Sequence, residues 1–428
     1  MVVIGGIIGA GIFITPHIVA QRLDTPMLVL GAWVLGGAIA LAGAFSYAEL
    51  GALFPKAGGQ YVYLRDGLHP LAGFLYGWAL LLVIESGAIA AVAITFATYA
   101  LSVAGGPAGA RVPLAIASLV VLSIVNYLGV KPGSRVLNVL VVLKIGALAI
   151  LIGAGFVAAG HPGWWTETRA VASSGAAPGA SSTLVAFGAA MVPILFSYGG
   201  WQSANYVGEE IANPKKNLPL ALVAGTITVV IIYVAVNIVY LRAVGLNGLA
   251  ATEAPAADAA RQMFGPSGGL FVSGAIAVST FGFLDLSILA PTRVYYAMAA
   301  DRLFVPALAT LHPRFGTPSL AIVVQSTWAC ILALTGTYDQ LANYVVFADW
   351  IFFGLTVLTV LTFRRRVPAD RRPADAFRAP GYPLVQILFV MISAGVVASV
   401  IGAAPAAAAK GAVLIALGVP VYFWYATE

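Results

Sequence analysis

Charged residues make up only 9% of this 428-residue chain, against roughly 25% in an ordinary soluble domain. Hydrophobic residues make up 61%. No single water-soluble core hides that much apolar surface, so the solvent for most of the chain is lipid. Cysteine is nearly absent. Cys330 is the one example, which excludes an internal disulfide framework and leaves no outer-loop cysteine for a disulfide-linked accessory chain. The four histidines, His17, His69, His161 and His312, lack metal-ligand spacing, so no metal or other cofactor is expected. A zinc-protease helix motif, a P-loop and a nucleophile elbow are all missing, which argues against a membrane enzyme. No repeated ring of charges suggests a channel.

What is present is a series of apolar runs, each near the ~20 residues a bilayer requires. Punctuation by charge, Pro and Gly gives twelve expected spans: 1–20, 27–53, 71–101, 112–129, 133–159, 183–210, 218–242, 268–300, 318–336, 340–363, 382–402 and 411–427. The net charge of +6 follows from topology rather than from nucleic-acid binding. With both termini cytoplasmic, the inner loops hold fourteen Lys and Arg, among them Lys56, Lys131, Lys215, Arg302 and Arg364, and the outer loops hold six (Arg22, Arg111, Arg169, Arg242, Arg261 and Lys410). That asymmetry follows the positive-inside rule and supports this orientation, the expected location being the cytoplasmic membrane. Met1 opens directly on the first apolar run with no basic leader. Either the first half-helix is short or sequence precedes it. The Arg-rich stretch 364–381 reads as a cytoplasmic loop facing lipid headgroups, and Asp24, Asp66 and Asp258 read as solvated loop charges.

Two spans break the membrane-helix pattern. The first contains Gly5, Gly6, Gly9, Ala10 and Gly11, and the sixth contains Tyr198-Gly199-Gly200-Trp201. Each opens a five-span block. Backbone that leaves the helix inside lipid is tolerated only where it is buried or lines a cavity. A matched pair of glycine-interrupted spans therefore points to a transporter's midplane site. Close helix packing through small residues accounts more plainly for each cluster taken singly.

These residues also carry a resemblance. Ile7-Ile8-Gly9-Ala10-Gly11-Ile12-Phe13 with Thr15-Pro16 resembles the first-helix signature of the amino acid–polyamine–organocation superfamily. So does Tyr47-Ala48-Glu49-Leu50-Gly51, followed by Phe54-Pro55 and Gly58-Gly59. The stretch from Phe196 to Trp201, with Asn205, Glu209, Glu210 and Asn213-Pro214, is similar to the L-type amino acid transporter branch. The resemblance implies an all-α polytopic fold of the leucine-transporter type: a 5+5 inverted repeat plus two extra helices, working by alternating access. Its parts would be a first repeat at 1–160, an external loop at 161–182, a second repeat at 183–363, a basic loop at 364–381 and helices 11 and 12 at 382–428. It implies that the substrate's carboxylate meets the N–H groups of Gly9, Ala10 and Gly11, as the free amides of a helix N-terminus allow. The ammonium would meet carbonyls near Ile7, Phe196 and Gly199. Ile84, Ala88, Val92, Trp201, Gln202 and Asp349 would form the pocket walls, with Trp201 as a gate. Lys144 would stand where sodium-coupled relatives bind an ion, with Ser279 or Thr280 accepting its hydrogen bond, which implies sodium-independent transport.

An ionisable group inside a span is a functional candidate by default. Besides Lys144 these are Glu85, Asp285 and Asp349. Three roles stand open: an ion pair with Lys144, proton uptake during the cycle because burial disfavours the charged form, or binding of a second cationic group on the substrate by Asp349. Hydrogen bonding to helix backbone or water is the bland alternative. Glu49, Glu209 and Glu210 lie near inner helix ends and are candidates for salt bridges to basic loop residues, Glu210 first among them. The sequence leaves exchange and proton symport open. It favours neutral amino acids, with cationic amino acids or polyamines second, and a receptor that binds without transporting third.

Overall fold

A computed structural model describes residues 2–55, 58–129, 134–158, 160–169, 180–206, 208, 211–366 and 376–426. Among the described residues the chain is helical throughout, with no strand. A backbone in lipid must satisfy its own hydrogen bonds, and a helix does so within one segment. Nine described helices are long and apolar enough to cross a membrane, and two shorter apolar helices lie at Val141–Val157 and Ser319–Thr335.

The first span is two short helices, α1 (Val2–Ile7) and α2 (Gly11–Arg22). Then come α3 (Pro26–Leu53), α4 (Gln60–Gly67), α5 (Pro70–Ala79), α6 (Glu85–Ala104), α7 (Arg111–Tyr127) and α8 (Ser134–Val157). Proline opens α3 and α5 at a position where its missing N–H is no loss. Thr25 caps α3 by accepting from the Leu28 N–H at 3.3 Å. The sixth span is again split, into α9 (Ala180–Tyr198) and α10 (Ser203–Tyr206). The chain continues through α11 (Pro214–Ala251), α12 (Pro255–Leu289), α13 (Thr292–Ala300), α14 (Ser319–Thr335), α15 (Tyr338–Arg366), α16 (Leu384–Ala403) and α17 (Pro405–Ala426). α11 and α12 kink at Gly245 and Gly265, whose φ values of 71° and 73° suit glycine.

The two split spans sit at the centre. α2 packs on α9 and α11, α1 on α10 and α11, and α8 bridges α11 and α12. Around them α3 lies along α11, α6 along α12, and α15 along α16. The outer faces are apolar: Val142, Leu143 and Ile150 on α8 and Leu384, Leu388 and Met391 on α16 are exposed. Such large apolar faces suit lipid rather than water.

At the end where α3 finishes and α15 finishes, Glu49 accepts two hydrogen bonds from the Arg364 guanidinium, at 2.7 and 2.6 Å, and one from the Ala379 N–H at 2.8 Å. The expectation that Arg364 faces headgroups is corrected: its side chain is 14% exposed and lies against the Tyr382 ring. Asp66 is exposed and pairs with Arg65 at 2.7 Å, while Asp258 lies within α12 rather than in a loop and pairs with Arg261 at 2.5 Å. Glu209 and Glu210, with the bridge expected of Glu210, lie outside the described residues.

Candidate functional site

The two breaks meet backbone to backbone. A Cβ added at Gly6 would stand 2.9 Å from the Gly200 carbonyl oxygen, and one at Gly200 would run into the Gly6 carbonyl. Gly200 also has a φ of 100°, which an L side chain rarely adopts. Gly11 faces the side chain and Cα of Ser197 with no room for a methyl group. Glycine at these places lets two interrupted helices touch at their weak points.

In the first break the Gly9 N–H turns back to the Ile7 carbonyl at 2.7 Å, and the Phe13 N–H to Ala10 at 3.1 Å. The N–H groups of Ala10, Gly11 and Ile12 find no backbone acceptor among the described residues. The open amides are therefore one residue later than the sequence suggests, because Gly9 spends its donor inside the break. Free amides at the start of α2 form an anion-binding end. In the second break the Gly199 N–H goes to Phe196 O at 3.1 Å and the Gly200 N–H to the Gln202 side chain at 2.9 Å. Tyr233 on α11 ties the breaks together, with its hydroxyl 3.0 Å from Ile7 O and 3.2 Å from Ser197 O.

Beneath these breaks lies a cavity of about 530 Å³, within the range of small-molecule sites. Ile7, Gly9, Ala10, Gly11, Phe196, Gly199 and Gln202 line it, facing Ile84, Glu85, Ala88 and Val92 on one side and Asp285 and Asp349 on others. The structure thus brings together all but one of the expected wall residues. Trp201 is the exception. Its ring is buried behind the cavity, stacked on Phe353 at 5.1 Å and edge-on to Tyr47 at 4.6 Å. Phe196, edge-on to Tyr338 at 5.7 Å, is the aromatic of this break that faces the cavity.

Past Phe196 the structure closes. Ser197 donates to Thr15 at 2.8 Å, Thr15 and Tyr338 hydroxyls lie 3.2 Å apart, and Arg22 Nη2 donates to both carboxylate oxygens of Asp339 at 2.9 Å. In the opposite direction the cavity runs on toward α1, past Gly5, Ser203 and Arg293.

Lys144 does not line this cavity. It is 7% exposed and its ammonium donates to the Ile8 carbonyl inside the first break. The Phe283 ring lies 5.5 Å away. Neither expected acceptor on α12 is used: Thr280 bonds back to Ile276 O at 2.8 Å, and the buried Ser279 hydroxyl has no partner, although it shares a small void with Lys144. Among the described residues no carboxylate pairs with Lys144. Asp285 instead accepts from Asn126 on α7 at 2.7 Å. An ammonium alone can hold a helix carbonyl, so the break supplies what an acid would have.

Sequence reasoning passed over Tyr233, Arg293, Tyr206 and Phe283. Tyr233 had a signal, since Tyr233, Asn237 and Tyr240 stand at i, i+4 and i+7 in an otherwise apolar run. Arg293, in α13, lies inside the expected span 268–300 and was left out of its ionisable residues, although it lines the cavity.

The amino acid permease family model matches residues 1–424. The serine/threonine exchanger SteT of Bacillus subtilis (strain 168) is 31% identical over 424 residues, covering 98% of this chain and 94% of that protein. Asc-type amino acid transporter 1 of Mus musculus is 31% identical, covering 99% of this chain and 79% of that protein. Large neutral amino acids transporter small subunit 2 of Homo sapiens is 31% identical over 99% of this chain and 78% of its own length. A match over almost the whole sequence, on a helical fold whose two broken spans meet above a cavity, shows that this chain belongs to the amino acid permease family of the amino acid–polyamine–organocation superfamily, whose members are transporters rather than enzymes.

Proposed function

We propose that the protein is a sodium-independent secondary transporter that carries α-amino acids across the cytoplasmic membrane by alternating access, with both termini cytoplasmic. Twelve spans would form a 5+5 inverted repeat, 1–160 and 183–363, joined by an external loop at 161–182. The basic loop 364–381 and helices 11 and 12 at 382–428 would complete the chain. The observation that carries the reading is the meeting of the breaks at Gly6 and Gly200 above a cavity edged by the open amides of Ala10 and Gly11. The substrate carboxylate binds those amides, and its ammonium binds carbonyls of the Ile7 and Phe196 ends. Apolar walls at Ile84, Val92 and Val345 favour neutral side chains. On this orientation the hydrogen bonds among Thr15, Ser197 and Tyr338 seal the external side, and the cavity belongs to the inward-facing half of the cycle.

Lys144 supports sodium independence: its ammonium already supplies a cation to the Ile8 carbonyl. Exchange and proton-coupled symport both suit that arrangement. With Cys330 as the only cysteine, lodged in α14, the chain is proposed to work without a disulfide-linked accessory subunit.

Counterflow of labelled amino acids in proteoliposomes tests the proposal. Internal unlabelled amino acid should drive transient accumulation of label, equally in sodium and in choline buffer. Tight binding without flux for a broad substrate panel would make the protein a receptor instead.

A further inference from the structure

The cavity wall carries more acidic side chains than a neutral amino acid needs. Glu85, Asp285 and Asp349 all line it, against one base, Arg293. Asp285 is accounted for by Asn126. Asp349 is not: it is 8% exposed, it lines the cavity, and its Oδ1 is buried with no hydrogen-bond partner. A buried carboxylate oxygen without a donor is costly, and native structures seldom keep one without a use.

Glu85 faces the same space from α6. It lies at i, i+3 and i+7 with Ala88 and Val92, so the three share one helix face. Its position is set by an unusual turn. Leu80–Ile84 is a π-helical segment directly preceding Glu85, and such bulges often occur at functional sites. The Leu82 carbonyl within this turn accepts from Trp328 at 2.6 Å and Tyr344 at 2.9 Å. Two helices, α14 and α15, thus hold the bulge, and with it the angle at which Glu85 enters the cavity. α15, which carries Asp349, packs against both the bulge and α6. The Tyr206 ring completes this corner, its hydroxyl 2.5 Å from that of Tyr76, and Trp350 adds an aromatic wall.

We infer that Asp349 and Glu85 form a side-chain subsite for a second ammonium group, so that this transporter accepts diamino acids alongside neutral ones. The inference rests on the amino acid transport reading above. The α-carboxylate and α-ammonium engage the backbone of the breaks, and the ω-ammonium reaches the two acids. Like charges sharing an apolar corner repel, and one cation between them relieves both. Aromatic faces at Trp350 and Tyr206 suit the same cation. A zwitterion with an aliphatic side chain would leave the Asp349 oxygen unpaired. A monoacid with a second ammonium would pair it.

The test compares isosteres, which differ only in the charged tip. Inhibition of labelled leucine counterflow is measured in wild-type proteoliposomes for ornithine against norleucine, and for 2,4-diaminobutyrate against norvaline. At least one diamino acid should compete about tenfold better than its isostere, a difference worth about 1.4 kcal/mol. In D349N the ratio of diamino acid to isostere affinity should fall by about the same factor, and D349E should restore it in part. Norleucine-induced thermal shifts of each purified variant establish that it is folded. If neutral amino acids move but no diamino acid outcompetes its isostere in wild type, the subsite is refuted while the transport reading stands. If no amino acid moves at all, the transport reading itself fails. If a pH gradient drives neutral uptake, D349N abolishes that drive and diamino acids are excluded, the acids carry a proton and the inference is overturned.

Discussion

The Tyr233 hydroxyl lies 3.0 Å from the carbonyl oxygen of Ile7, and the same hydroxyl lies 3.2 Å from that of Ser197. One proton from α11 is shared between the last turns before both breaks. Y233F keeps the ring, which packs edge-on to Trp33 at 5.6 Å, and removes only the donor. Two buried carbonyls then lose a partner, a loss of about 1–3 kcal/mol for an unsatisfied buried group. Initial rates of counterflow should fall about tenfold or more, while circular dichroism stays unchanged. A rate within twofold of wild type would show that the breaks hold each other without it.

Lys144 makes the corresponding contact from α8, donating to Ile8 O. K144M keeps the length of the side chain and deletes the charge. Carbonyls of the break then face an apolar neighbour, and the prediction is loss of most transport with retained expression. Replacing sodium by choline should leave wild-type uptake unchanged. Sodium-stimulated uptake in wild type would contradict the role given to this ammonium.

Glycine was legible here as composition but not as contact. The sequence pattern marks Gly5 to Gly11 and Gly199-Gly200 as breaks, because clustered glycine at matching places in two apolar spans is the mark of interrupted membrane helices. It does not say that Gly6 meets Gly200, since that is a contact between residues almost two hundred positions apart. Wall positions on α6 came from the family resemblance alone, and Ala88 and Val92 do line the cavity. Trp201 was misplaced because both a gate and a packed aromatic core attract tryptophan, and only the positions of Tyr47 and Phe353 decide between them. The donor state of Gly9 was likewise invisible, because a turn-back to Ile7 depends on backbone angles and not on side-chain identity.

Substitutions at the glycines separate contact from mere flexibility. G11A drives a methyl group into Ser197, and G6A places one 2.9 Å from Gly200 O. Backbone cannot yield as a side-chain end can, so each should destabilise by about 1–3 kcal/mol, the usual penalty of overpacking, and abolish transport. G31A is the control. Gly31 lies on the exposed face of α3 with nothing within 4 Å of an added Cβ. Its melting temperature and counterflow should match or exceed wild type, as Ala is the better helix former. Equal tolerance of all three in a thermal-shift assay would mean that the breaks do not touch in the membrane.

The Glu49–Arg364 pair should behave unlike a surface ion pair. Glu49 is 3% exposed on its side chain and Arg364 14%, so solvent screens the pair little. Glu49 also accepts from the Ala379 N–H at 2.8 Å, which ties the segment before α16 to the end of α3. Removing one partner of a buried pair leaves the other uncompensated, at about 3–5 kcal/mol. E49Q keeps the hydrogen-bonding shape but not the charge, so it should lower the melting temperature less than E49A. R364K should fall between wild type and E49A, since lysine cannot make the two-pronged contact. By contrast, Arg22 and Asp339 are 24% and 39% exposed, and exposed pairs are worth about 0–1 kcal/mol. R22Q should therefore leave the melting temperature within a degree or two. Because that pair seals only the side past Phe196, R22Q should instead shift the balance of conformations, read as faster labelling of a cysteine placed beside Tyr338. Unchanged labelling in R22Q would remove this ion pair from the seal and leave Thr15, Ser197 and Tyr338 to hold it alone.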